Sequence, residues 1–275
     1  MHDAFNLNHY LARIGIAGTP APTLAPNLAT LSAIHSAHVA AIPFEGLDPL
    51  LGRPVDLDLA SLQQKIVHGR RGGYCFEQNA LFRAALEAIG FTLTSLGGRV
   101  RWMAPPGSPL GPRTHMLLKV DLPEGPHLAD VGFGACLMDT PIRLEPGIEQ
   151  PTAMGTFKLT EIAGHYHLSA KQPEDWRTMY AFDLVPQLPA DYALGNYYTS
   201  TNAGAPFTTN LLVERVDGHA RYKLLNRKLV VEARNGHRIS EREIHDAATL
   251  GEVLRDVFNV IPPVPVDQVF ARLPL

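Results

Sequence analysis

The 275-residue chain has only two cysteines, Cys75 and Cys136, too few for a disulfide framework or a Cys-rich zinc site. No run approaches about 18 consecutive apolar residues, and the opening Met1-His2-Asp3-Ala4-Phe5-Asn6 lacks the basic and apolar segments of a secretory leader. A soluble, cytoplasmic protein with reduced thiols is expected. Basic blocks are missing as well: 24 Lys plus Arg face 27 Asp plus Glu, for a formal net charge of −3. Neither nucleic acid nor a membrane is therefore an expected partner. Internal repeats and low-complexity segments are absent, which removes solenoids. Gly-x-x-x-x-Gly-Lys-Ser/Thr and Gly-x-Gly-x-x-Gly are absent too, so no phosphate-cradling loop of those kinds can be assigned.

What remains is an ordinary apolar share of 45% with 19% charged residues, somewhat below the roughly 25% of an average domain. Disorder as the main state is excluded. The length allows one large domain or two to three small ones, and 23 glycines with 23 prolines imply many turns. Twelve histidines let the net charge cross zero near physiological pH.

The first ninety residues carry helical periodicity. Helices are predicted over Asn6 to Ile14, Asn27 to Ala41, Asp58 to His68 and Tyr74 to Ile89, the last closed by Gly90. From Phe91 the period falls to two, with strands predicted over Thr92 to Leu96, Arg99 to Met103, Met116 to Leu122 and Leu128 to Val131, continued by Gly155 to Leu168. That pattern is an antiparallel sheet or barrel. The last third is mixed: a hairpin at Asp217-Gly218, a strand over Leu229 to Glu232, a turn at Asn235-Gly236 and a helix near Leu250 to Phe258.

In Arg70-Arg71-Gly72-Gly73-Tyr74-Cys75-Phe76-Glu77-Gln78-Asn79 a thiol opens an otherwise good helix. The unpaired N–H groups and positive dipole end there favour an anion, which is where a nucleophilic thiol belongs. Cys75 shares a face with Asn79, Phe82 and Leu86, so the sulfur points toward the core side; the bland alternative is a buried structural cysteine. Such a nucleophile needs a base and a group to orient it. His115 and Asp130 stand on two strands joined through Pro123-Glu124-Gly125-Pro126, with matching parity, so both project from one face. Register decides whether they meet. A turn centred on Glu124-Gly125 sets Asp130 opposite Lys119, roughly 13 Å from the partner of His115; a centre near Leu122-Pro123, or a bulge, unites them.

The string Arg71 to Asn79 resembles the signature of the arylamine N-acetyltransferases. Ile42-Pro43-Phe44-Glu45-Gly46-Leu47-Asp48, Thr114-His115, Asp130-Val131-Gly132-Phe133-Gly134 and, more weakly, Ala205-Pro206-Phe207-Thr208-Thr209-Asn210 match the family in order. Gly46 stands where the family usually has Asn, which bears on the local turn and not on the chemistry. The resemblance implies an α+β protein with a cysteine-protease-like core: an N-terminal helical bundle (1–90), a central antiparallel β-barrel (91–195) and a C-terminal α/β lid (196–275). It implies Cys75 as nucleophile, His115 as base and Asp130 as orienter. Phe44, Val100, Phe133 and Phe207 are implied to line the aromatic acceptor site, and Trp102, Thr114 and Gly134 to approach coenzyme A.

The reaction so implied is ping-pong transfer of acetyl from acetyl-coenzyme A, the co-substrate, through acetyl-cysteine to an arylamine or hydrazine. An amide synthase and a cysteine hydrolase use the same triad and are the rival enzymes; a module that only senses aromatic ligands or coenzyme A is the rival from another class. No metal is expected, because His35 with His38 and His165 with His167 have no third or fourth ligand at suitable spacing. Monomer and homodimer are both open.

Overall fold

The computed structural model describes residues 5–16, 24–105, 107–218, 220–234 and 236–274; Asn235 of the expected Asn235-Gly236 turn lies outside them. The helical start follows the sequence pattern closely. Helix α1 (Leu7–Arg13) and α2 (Leu28–Ala41) begin at Asn6 and Asn27, whose side chains accept N–H groups of the first turn. Strand β1 (Phe44–Glu45) and the short α3 (Leu47–Leu50) follow. The third expected helix is α4 (Leu59–Leu62), capped by Asp58, running into a π-helical turn over Gln63–His68. Helix α5 (Cys75–Ile89) ends on Gly90, left-handed at φ 102°.

The next strands are β2 (Thr92–Val100), β3 (His115–Asp121), β4 (His127–Ala129), β5 (Ile142–Arg143), β6 (Glu149–Thr152), β7 (Gly155–Ile162), β8 (His165–Lys171) and β9 (Trp176–Phe182). They form one antiparallel sheet in the order β5-β4-β3-β2-β9-β8-β7-β6, a nearly closed barrel. One expectation is corrected. Thr92 to Leu96 and Arg99 to Met103 are not separate strands: β2 runs through Gly97-Gly98 and stops at Val100, and a Cβ on Gly98 would sit 3.2–3.4 Å from Leu117, His115 and Tyr180. The glycines mark close approach, not a break. The segment from Gly155 to Leu168 continues the sheet as expected, as a hairpin that turns at Ala163 and Gly164, both at positive φ.

Helix α6 (Pro189–Thr201), unforeseen in the sequence, and α7 (Pro206–Thr209) lead into β10 (Leu212–Val216), β11 (Ala220–Leu225), β12 (Lys228–Ala233) and β13 (Arg238–Glu243). The hairpin at Asp217-Gly218 joins β10 and β11 as expected. The chain closes with α8 (Ala247–Glu252), a π turn over Val253–Val257 and α9 (Val266–Phe270). These strands form a second sheet, β1-β10-β11-β12-β13. Its edge strand β1 is borrowed from the N-terminal third: Phe44 pairs with Glu214 and Glu45 with Val213, while the Glu45 N–H donates to Gly73 O at 3.0 Å. The C-terminal sheet thus grips the segment that precedes Cys75. Among the described residues no helix is long and apolar enough to cross a membrane.

Candidate active site

Cys75 is the first residue of α5 and is buried, and its Sγ lies 3.6 Å from the Thr114 carbonyl oxygen. His115 opens β3, and its ring feels the same sulfur as a neighbour. The other side of that ring is fixed, with Nε2 2.7 Å from Asp130 Oδ2. The register falls between the two alternatives: Leu118 pairs with Ala129, Lys119 with Leu128 and Val120 with His127. This centres the turn between Pro123 and Glu124 and leaves Asp130 diagonal to His115, within reach of a side-chain bond. The ladder ends at Ala129, so Asp130 is free to lean toward the imidazole.

Asp130 accepts four hydrogen bonds. Oδ1 takes Asn79 Nδ2 and the Gly132 N–H, each at 2.9 Å, and Oδ2 takes His115 at 2.7 Å and the Tyr180 hydroxyl at 2.8 Å. Its own N–H donates to His35 Nε2 at 3.3 Å. Asn79, one helical turn after Cys75, also donates to Met116 O at 2.7 Å and accepts the Val131 N–H at 3.1 Å, strapping α5 to both strands of the hairpin. Gly132 permits this: a Cβ there would lie 2.8 Å from the Cys75 Cα. Burial opposes charge on His115, but the Asp130 carboxylate, its hydrogen bond and the neighbouring sulfur overcome it and raise the ring to about 10. Burial likewise works against the Asp130 carboxylate, and charged His115 with the surrounding donors holds it below the ordinary value. Burial pushes the Tyr180 phenol up, keeping it a donor.

Aromatic side chains pack around the imidazole and the residues flanking the thiol. Phe133 meets His115 edge-on at 5.2 Å, Tyr180 lies against the same ring at 4.7 Å, and the two aromatics touch each other at 5.3 Å. Phe44 and Tyr74 each contact Phe207, at 5.8 and 5.4 Å between centroids. A Cβ on Gly134 would overlap the Phe44 ring, and one on Gly46 would come within 2.9 Å of Phe207 Cδ1. Trp102 meets Phe133 at 6.1 Å, whereas Val100 sits at the exposed end of β2, paired with Tyr180. Phe44 belongs to the apolar core of the helices and Phe133 to that of the barrel, so the thiol and imidazole lie where two cores meet.

Sequence reasoning missed Tyr180 and His35, and singled out Asn79 only as a neighbour of Cys75. The helical spacing of Cys75 and Asn79 was the available signal; Tyr180 and His35 approach Asp130 across 50 and 95 residues of chain, where no local pattern exists. The paired histidines have other uses. His38 bonds Tyr10 OH and Gln78 Oε1, each at 2.7 Å, and since the amide oxygen only accepts, the ring proton is on Nε2 and the hydroxyl donates to Nδ1. No cluster of three or more His, Cys, Asp or Glu suited to a metal occurs among the described residues. Cys136 is buried, which pushes its thiol up.

A buried thiol, imidazole and carboxylate gathered at the junction of helices and an antiparallel barrel suit nucleophilic chemistry at sulfur. The sequence profile of the N-acetyltransferase family matches residues 27–263. The chain is 44% identical over 231 residues to the arylamine N-acetyltransferase of Mycolicibacterium smegmatis, covering 83% of this chain and 82% of that one. It is 39% identical to that of Escherichia coli strain K12, covering 92% and 88%. The structure of Mycobacterium marinum arylamine N-acetyltransferase in complex with CoA superposes with a TM-score of 0.91 at 36% identity, covering 97% and 98%. The chain belongs to the arylamine N-acetyltransferase family and is an acetyltransferase.

Proposed function

We propose that the chain transfers acetyl from acetyl-coenzyme A to the nitrogen of arylamines or arylhydrazines by a ping-pong route through acetyl-Cys75. The observation that carries this is the buried His115–Asp130 pair beside Cys75, with both carboxylate oxygens fully engaged. His115 takes the thiol proton, and the sulfur attacks the thioester carbonyl. Coenzyme A leaves as a thiolate and recovers that proton from the imidazolium. One thioester replaces another, so the acetyl group keeps its transfer potential. An arylamine, neutral near pH 7, then attacks acetyl-Cys75 while His115 accepts the amine proton. Asp130 stabilises the imidazolium and fixes the ring.

Phe44, Phe133 and Phe207 form the apolar wall for the acceptor and keep water from the thioester, with Val100 at the rim. The donor occupies an open cleft of about 910 Å³ whose lining includes Arg101, Trp102, Trp176, Arg177 and Arg238. Cations and indoles suit a phosphate-bearing nucleotide, and Trp102 leads through Phe133 to His115. Thr114 and Gly134 stand beside the sulfur and Phe44 along that route. The units 1–90, 91–195 and 196–275 would then bear the thiol, the imidazole and carboxylate, and the covering lid, in a cytoplasmic enzyme.

The test is an intact-mass measurement after mixing with acetyl-coenzyme A. A gain of one acetyl group on Cys75, discharged by an arylamine, is expected. Acetate release without amine would assign a hydrolase instead, and no acetylation would sink the reading.

A further inference from the structure

Behind the thiol lies a network of charges that the reaction does not use. Glu77, in the first turn of α5, accepts the Tyr74 N–H on Oε2 at 3.1 Å and Lys65 Nζ on Oε1 at 2.6 Å. Lys65 also bonds Asp48 Oδ2 at 2.7 Å. Arg71 bridges Glu45 Oε1, at 2.6 Å, and Asp48 Oδ1, at 3.2 Å, and Arg53 reaches Asp48 Oδ1 at 3.2 Å. Lys65 stands on the π turn Gln63–His68, where the Gly69 N–H bonds Gln64 O at 2.8 Å and the Arg71 N–H bonds Lys65 O at 3.2 Å. Gly73 completes the packing, since a Cβ there would lie 2.9 Å from the Glu77 carboxylate.

We propose that Lys65 is a positioning residue for Cys75: its ammonium keeps the buried Glu77 carboxylate ionised, so that Glu77 caps the Tyr74 N–H and holds the turn on which the thiol stands. The charges around Glu77 come from four elements. Lys65 comes from the π turn, Glu45 from β1, Asp48 from α3 through Lys65, and Arg71 from the loop before Cys75. Lys65 is the only cation in direct contact with Glu77 among the described residues. Burial holds the Glu77 carboxyl above its ordinary value, Lys65 works against that rise, and Glu45 adds repulsion. Burial also works against charge on Lys65, but Glu77, Glu45 and Asp48 keep it protonated. A cleft of about 590 Å³, lined by Asp48, Gln64, Lys65, Arg71 and Glu77 among others, brings water to the network. A protonated Glu77 is a poorer acceptor for the Tyr74 N–H, and the turn would loosen one residue from the sulfur.

The inference rests on Cys75 being the nucleophile, so its test reads the thiol by alkylation and acyl transfer separately. The rate of Cys75 alkylation by iodoacetamide is followed by intact mass from pH 5 to 9, with acetyl-coenzyme A loading in parallel. In Lys65→Met the acid limb of alkylation should move up by about one to two pH units, the usual effect of losing an opposite charge in contact. Lys65→Arg should return it, and Lys65→Met in a Glu77→Gln background should produce no shift. A Lys65→Met profile that superposes on the parent, or a shift that persists with Glu77→Gln, would overturn the proposal. Failure of the parent to load acetyl while the limb shifts as expected would instead sink the catalytic reading alone.

Discussion

Replacing Asp130 with Asn removes one charge and no volume, and the structure sets the size of the effect. His115 is raised from 6.5 to about 10. At 1.36 kcal/mol per pH unit this is about 5 kcal/mol of net preference for the charged ring, what remains after the carboxylate and sulfur have outweighed burial. Without the carboxylate, burial governs the ring as it governs His35 and His38, which burial lowers to about 4 and about 3. The imidazolium needed to stabilise a thiolate would then be lost at neutral pH. By analogy with Ser-His-Asp enzymes, acetylation of Cys75 should slow by about 10³- to 10⁴-fold. A structural loss accompanies it. Two donors meet each Asp130 oxygen, and an amide nitrogen accepts from neither of its pair. Two buried donors are orphaned at roughly 1–3 kcal/mol each, so the variant melts lower but folds. The assay is a rapid-quench intact-mass time course with acetyl-coenzyme A, run well below the variant's Tm. Acetylation within tenfold of the parent would refute the role given to Asp130.

Cys75→Ser should take up no acetyl from acetyl-coenzyme A while keeping the parent's melting profile, and normal acetylation by it would refute the covalent route. Gly46→Ala places a methyl 2.9 Å from the Phe207 ring and should raise the arylamine KM several-fold while leaving Cys75 acetylation near the parent rate; steady-state kinetics with an aniline panel checks both. His35 and His38 are lowered in the fold, so the unfolded chain binds protons first as pH falls. Their stabilisation is present above about 6.5 and is lost below it, by about 2–3 kcal/mol each between pH 6.5 and 4.5. Tm measured against pH should show a steep acid fall that His38→Gln flattens, and an equal slope would contradict the assignment. His115 is raised and acts in the opposite sense, its contribution fading as pH climbs toward 10.

Much of this was legible in the chain itself. The helix starts at Asn6, Asn27 and Asp58 and the stop at Gly90 followed from cap chemistry, which is local. That Cys75 opens a helix and that His115 and Asp130 share a face followed from helix position and strand parity, and the resemblance singled out the same three. The exact pairing of His115 with Asp130 was not, because a turn centred between Pro123 and Glu124 leaves them diagonal, and only the end of the ladder after Ala129 lets them touch. Gly97-Gly98 read as a break because a glycine's tolerance for crowding, here from His115 and Tyr180, cannot be told from its tolerance for bending. Helix α6 escaped because its polar and aromatic residues carry little periodic contrast, leaving Leu194 and Tyr197 exposed. Lys65 gave no sign of its partners, since a π turn changes which way a helical side chain faces.

Strand β1 is two residues long, and its ladder partners, Val213 and Glu214, come far later in the chain. A ribosome therefore exposes the thiol of Cys75 well before it has made the strand that clamps the neighbouring backbone. On the proposed mechanism, assembly of the site waits for that strand. A nascent or prematurely terminated chain would display an ordinary cysteine rather than an acyl carrier, and every truncated product ending before Leu212 should be inert toward thioesters.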